Sequence, residues 1–216
     1  MNQLYFFKKR SRVATQFLKC ICLAVLILVC SGFSFGAKAV DKLKYPDDVR
    51  IEVFADGLPR ARHMAFDDNG VLFLSQRNGK VVALPDKDND GKADKTITIL
   101  DNRETPHGLA FVQLDSGYYL YVGEERQVIR MKRMDNGISY GKPEVIISGI
   151  PGGGHSTRTV KIKDGKLYLS VGSSCNVCIE SNRIRAAVSV FDLNSKTGKI
   201  FAEGLRNTVG MEFSPY

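Results

Sequence analysis

The sequence predicts an all-β fold, a β-propeller, and two observations predict it. The first is an internal repeat. Met64–Ser75 is echoed by Leu109–Val122 and by Val160–Val171, and the pattern begins again at Met211. The starts at 64, 109, 160 and 211 lie 45, 51 and 51 residues apart, and a period of that size made of short strands marks propeller blades. The second is what fills each period. Apolar runs of about six residues are bounded by Asp-Asn-Gly, Asn-Gly or Asp-Gly, the residues hairpin turns favour because they tolerate φ > 0. Apolar residues at i, i+3, i+4 and i+7, the helical spacing, do not recur after the leader.

Each unit supplies four strands. In the first they fall near 62–67, 71–76, 80–84 and 96–100, and in the second near 107–113, 118–123, 127–133 and 144–148. The third has them near 157–162, 166–172, 186–192 and 199–203. Of a fourth unit only the first strand is present, from Met211.

Ahead of the repeats, residues 1–39 carry Lys8, Lys9, Arg10, Arg12, Lys19 and Lys38 and no acid. An apolar stretch from Cys20 to Phe35 follows and closes on Ala37-Lys-Ala39. A basic head, an apolar core and a small-x-small end read as a secretory signal cut after Ala39. The alternative is an uncleaved membrane anchor, although Ser31, Gly32 and Ser34 interrupt the run before the ~20 residues a span needs. A periplasmic or secreted protein is expected, touching membrane only through an uncleaved leader. Without the leader, 25 basic residues face 23 acidic ones, a balance that leaves no basic patch for nucleic acid.

Cysteine usage agrees with export. Cys20, Cys22 and Cys30 go with the leader, leaving Cys175 and Cys178. A lone pair in an oxidising compartment reads as a disulfide, with a redox-active pair as the alternative. Two thiolates are too few for a closed zinc site, and Ile179 stands where haem attachment requires a histidine.

Blade topology sorts the loops between the two mouths of the ring. Strands alternate in direction, so blade junctions share one face with the loops joining second to third strands. The first-to-second and third-to-fourth loops share the other. The junctions carry Arg62-His63, His107, His155 with Arg158, and Arg206-Asn207, all at one phase of the repeat. A single histidine at a strand start ordinarily makes a structural hydrogen bond; a set at one phase points to a site around the central channel. His155 has the strongest claim, because Gly152-Gly-Gly154 precedes it and glycine allows close backbone approach. The Ser173–Cys178 loop falls on the same face. Asp86, Asp88, Asp90 and Asp94, with Gly91, match the opening of a calcium loop whose oxygen ligands fall on alternate residues. Ile97 replaces its terminal glutamate, and the loop belongs to the opposite face. Calcium there would be structural; a plain acidic hairpin is the alternative.

Gly153–Arg158, Asp164–Tyr168, Val171–Cys178, Arg185–Ala187 and Gly204–Asn207 together resemble the glucose/sorbosone dehydrogenase family, in its sorbosone-dehydrogenase-like branch, over roughly residues 48–216. The resemblance implies a secreted or periplasmic six-bladed propeller, of which residues 40–216 are an N-terminal part: about three blades plus the first strand of a fourth. It implies pyrroloquinoline quinone (PQQ) as cofactor, calcium, a small sugar or aldose as substrate, and an external electron acceptor. Within it His155 matches the general base for the substrate hydroxyl, and Arg206 the arginine that stabilises charge on the quinone oxygen. Asn207 matches a cofactor hydrogen-bonding residue, Arg158 is grouped with these two as cofactor-binding, and His63 and His107 are candidates on the channel face. A histidine of ordinary pKa can accept a proton at neutral pH; a fixed guanidinium stabilises an anion, while the cofactor carries the redox chemistry.

The chain departs from the soluble glucose dehydrogenases at two places. Ser173 stands where they carry an aspartate, and His107 lies near a glutamine of theirs, which points away from glucose itself. In family members the groups that hold the PQQ carboxylates and the catalytic calcium lie beyond the position of residue 216, so this chain alone is expected to be inactive. A different class of reading is a non-catalytic propeller that binds a sugar or protein ligand on the same face.

Overall fold

Strands and turns alternate along residues 4–9 and 43–215, the part of the chain that the computed structural model describes, with no helix among them. β1 (Leu4–Lys9) pairs antiparallel with β2 (Val49–Ala55). The apolar run and the cleavage point of the expected leader lie outside the described residues.

Three four-stranded antiparallel sheets follow, each in simple up-and-down order. The first holds β3 (Ala61–Phe66), β4 (Leu72–Gln76), β5 (Lys80–Leu84) and β6 (Ile97–Leu100). The second holds β7 (Leu109–Leu114), β8 (Gly117–Gly123), β9 (Val128–Lys132) and β10 (Glu144–Ile147). The third holds β11 (Val160–Lys163), β12 (Lys166–Val171), β13 (Ala187–Asp192) and β14 (Gly198–Glu203). These are the three blades expected from the repeat.

Local chemistry makes the hairpins. Asp67 Oδ1 accepts the N–H groups of Asn69 (3.0 Å) and Val71 (2.8 Å), closing the β3–β4 turn through a side chain. Between β11 and β12, Asp164 and Gly165 both take positive φ (50° and 70°), the two-residue turn whose twist suits paired strands.

Side-chain alternation then decides the packing. On β4, Phe73 joins the core between the first two blades, while Leu72 and Leu74 turn to Phe54 and Leu58 around β2. On β8, Leu120 and Val122 face the first blade and Tyr119 and Tyr121 face the third. Both faces of the inner blades are therefore covered, which is why these strands read as near-continuous apolar runs. The third blade differs. Leu167, Leu169 and Val171 pack inward on the second blade, whereas Tyr168 and Phe201 lie on its far face, where Phe201 is 64% exposed.

Residues 211–215, expected to open a fourth blade, pair with no strand among the described residues. They lie against the third blade instead, through Lys161 Nζ to Glu212 (2.7 Å) and Phe213 edge-on to Tyr168 (5.1 Å between ring centroids). A strand needs a neighbouring ladder, and this segment finds none.

Candidate functional site at the blade junctions

A break in strand pairing creates the first part of the site. The β3–β4 register shifts between Ala61 and Met64, and such a bulge re-aims side chains. At the bulge the His63 N–H finds Ser75 Oγ (3.2 Å), and that hydroxyl donates in turn to the His107 carbonyl (2.6 Å). The imidazoles of His63 and His107 meet with centroids 5.5 Å apart. His63 Nδ1 accepts the Leu109 N–H (3.4 Å), and burial together with the nearby Lys161 ammonium lowers its pKa. His107 is almost wholly buried. Desolvation, then the His63 and Arg62 charges, push its pKa down to about 4, and its Nδ1 has no hydrogen-bond partner among the described residues. Beside it is a slot of about 10 Å³ bounded by Arg62, Arg77, Thr105, Ser156 and Thr157, room for about one water.

The second part gathers three separate segments. The His155 N–H donates to the Ser173 carbonyl (2.9 Å), and the Ser173 N–H to the Arg206 carbonyl (2.8 Å). Ser173 thus ties the approach to β11, the loop after β12 and the segment after β14 into one layer. Close approach depends on glycine. A Cβ at Gly172 would stand 2.5 Å from His155 Cβ and 2.7 Å from Asn207 Oδ1; at Gly154, whose φ is +64°, it would stand 2.5 Å from the Ser173 carbonyl oxygen. Asn207 Oδ1 accepts the Thr157 hydroxyl (2.5 Å), which links this layer to the slot beside His107.

The side chains here differ in freedom. The His155 ring is half-buried and makes no hydrogen bond among the described residues, so it is open to a ligand. Ser173 gives its hydroxyl to the Cys175 carbonyl rather than to the imidazole. Arg206 is exposed, and among the described residues its side chain bonds to the neutral Asn176 amide alone (2.6 Å), with no carboxylate partner. Arg62 and Arg77 are likewise exposed without a carboxylate partner among the described residues. Cys175 and Cys178 form the disulfide, which closes the turn carrying Asn176.

Contacts thus run from His63 to His107, through the slot and Thr157 to Asn207, and on to His155 and the Arg206 backbone, with His107 lying beneath the surface. Arg158 requires a correction. It was expected to bind cofactor, but it has no exposed surface and donates to the carbonyls of Glu125, His155, Thr157 and Pro151. Burial lowers its pKa to about 10, so the guanidinium stays charged inside the fold. A group with four of its five N–H donors committed to backbone has little left for a ligand.

The aspartate loop between β5 and β6 falls, by strand direction, at the opposite end of its blade. Carboxylate oxygens of Asp86, Asp88 and Asp90 lie within 4.8 Å of one another, close enough for one cation. Asp94, expected as a fourth ligand, stands outside that group and accepts the Lys87 N–H (3.0 Å).

Sequence reading missed Glu124 and Glu125, and gave Arg185 no role. Glu124 is fully buried and pairs with Arg103 through both oxygens (2.5 and 2.9 Å). Glu125 accepts the Gly153 N–H (2.6 Å) and the Thr105 hydroxyl (3.1 Å); the Gly153 bond, the hydroxyl and the arginines nearby hold its carboxyl below the usual range. A signal was present: Val122-Gly123-Glu124-Glu125 occupies the same phase as Val171-Gly172-Ser173-Ser174.

Comparison with known proteins agrees with this architecture. The pyranose dehydrogenase PQQ domain of Coprinopsis cinerea, in its holo form, superposes with a TM-score of 0.61 at 23% identity, covering 71% of this chain and 41% of that one. A calcium structure of the family AA12 enzyme of Trichoderma reesei gives a TM-score of 0.64 at 21% identity, covering 73% of this chain and 44% of that one. An uncharacterised protein of Borreliella burgdorferi is 26% identical over 204 residues, 89% of this chain and 52% of its own length. The chain thus spans about half the length of the proteins it matches. A family model described as TrAA12-like matches residues 43–216, and the chain belongs to that family.

Proposed function

We propose that this chain supplies the His155 half of a PQQ-dependent sugar or aldose dehydrogenase, with a sorbosone-like aldose as the substrate class. The observation that carries the reading is the layer joining His155, Ser173 and Arg206 on one mouth of the blades. PQQ is a flat, polyanionic quinone, and the donor set fits it: exposed guanidinium at Arg206, amide at Asn207, and a glycine-rich approach without side chains. Arg206 and Asn207 would hold the quinone, whose chemistry would be hydride acceptance from the sugar carbon.

The remaining steps belong to this chain's own groups. His155, its ring free of hydrogen bonds among the described residues, takes the proton from the substrate hydroxyl. Arg206 places positive charge where negative charge grows on the acceptor oxygen. Asn207, oriented by Thr157, supplies a directional contact. Calcium is proposed at the Asp86, Asp88 and Asp90 turn in a structural role, and export to the periplasm or beyond is proposed from the basic and apolar leader.

The test is dye-coupled turnover across a panel of aldoses after addition of PQQ and calcium, run on this chain and on any longer product of its gene. Turnover by the longer product that falls by roughly 10²–10⁴-fold in His155→Ala supports the reading. Binding of sugar with no PQQ-dependent turnover would favour the non-catalytic propeller instead.

A further inference from the structure

Arg158 and Arg185 give their hydrogen bonds to seven backbone carbonyls, and five of those belong to the loop that carries His155. From the buried side, Arg158 Nε donates to Glu125 O (2.9 Å), Nη1 to His155 O (2.9 Å) and Thr157 O (2.8 Å), and Nη2 to Pro151 O (2.6 Å). From the other side, the half-buried Arg185 donates through Nη2 to Gly152 O and through Nη1 to Gly153 O (3.3 Å) and Gly172 O (3.5 Å). The Gly153 N–H is held by Glu125 Oε1 (2.6 Å). Neither guanidinium has a carboxylate within ion-pair distance among the described residues.

The loop from Pro151 to Thr157 belongs to no strand, so its carbonyls have no ladder partners and would otherwise turn to water. Two planar forks replace that water with fixed, charged donors, and charge-assisted bonds are stronger than neutral ones. The His155 ring has no hydrogen bond among the described residues to orient it. Its place is therefore set by its backbone, and its backbone by this grip.

We propose that Arg158 and Arg185 are positioning residues: together they clamp the Pro151–Thr157 loop and fix His155 against Gly172 and Asn207 before any ligand arrives. The proposal rests on the reading of His155 as the base. It makes the clamp act through the imidazole, not on the substrate.

Arg185 is the residue to change, because loss of the wholly buried Arg158 threatens folding itself. Amide hydrogen exchange is measured on the 216-residue chain, comparing the parent with Arg185→Lys and Arg185→Met. Exchange across 151–157 should quicken about tenfold or more in Arg185→Met, for loss of charged hydrogen bonds, while β12 and β13 keep their protection. Arg185→Lys, which keeps charge but loses the fork, should restore only part of it. Unchanged protection of the loop in both variants overturns the clamp. In any longer product of the gene that turns over with PQQ, kcat should fall at least about tenfold with KM within about threefold and the pH profile unmoved. A rise in KM at constant kcat overturns the positioning role. Full turnover by His155→Ala would overturn the base assignment and the catalytic half of this proposal, and quickened loop exchange would then establish the clamp alone.

Discussion

His107 shows how far a single residue can be driven by its surroundings. The ring is buried between blades, faces His63 and Arg62, and is pushed to a pKa of about 4. Unfolded, a histidine titrates near 6.5. The unfolded chain therefore binds a proton that the folded chain refuses, and stability falls as pH drops from about 6.5 toward 4. Above that window the contribution is fully present; below it no further loss comes from this ring. The slope should approach 1.4 kcal/mol per pH unit for one proton. Urea unfolding between pH 4 and 7 measures it, and His107→Gln should flatten the curve. His63, lowered for the same reason, adds in the same direction.

At the scale of the strand and the turn, the site is made by departures from regular pairing. Ser75 is one such point, since its hydroxyl serves both the His63 N–H and the His107 carbonyl across two blades. Ser75→Ala leaves both groups buried without that partner and should cost about 1–3 kcal/mol; chemical denaturation would show it, and a change under 0.5 kcal/mol would mean water fills the gap. Gly154 is another. An alanine there must hold a positive φ and stand 2.5 Å from the Ser173 carbonyl, so Gly154→Ala should displace the His155 loop and lower turnover more than it lowers Tm. A crystal structure of the variant with the loop unmoved would contradict this.

Across the whole molecule, the blades are unequal. The first two are covered on both faces, but the third presents Tyr168 and the exposed Phe201 beside a groove of about 440 Å³. An apolar face of this kind favours self-association. Phe201→Glu should lower the association of this chain seen by analytical ultracentrifugation while leaving its unfolding midpoint nearly unchanged, because the side chain is 64% exposed. Equal association of parent and variant would show that this face takes no part.

How much of this was written in the order of residues can be judged element by element. Period-two alternation and Asp-Gly turns act locally, so all twelve blade strands could be placed from the sequence, β11 least well because its first residues are drawn into the His155 loop. Repeat phase is also local information, and it picked out His63, His107, His155, Arg206 and Asn207 as residues of the blade junctions. What the chain order could not convey was which charged group would meet which partner. Arg158 and Arg206 sit at equivalent junctions, yet one is sealed among carbonyls and the other faces solvent with no carboxylate partner among the described residues. That difference depends partly on neighbours contributed from 30 or more residues away, Glu125 to Arg158 and Asn176 to Arg206, and partly on how the Pro151–Thr157 loop folds back over Arg158. The sequence by itself determined the blades and their junction residues, because short-range pattern and periodicity encode them. Only the tertiary structure decided burial, protonation and pairing at those junctions, because desolvation and hydrogen bonding depend on distances that exist once the blades have packed.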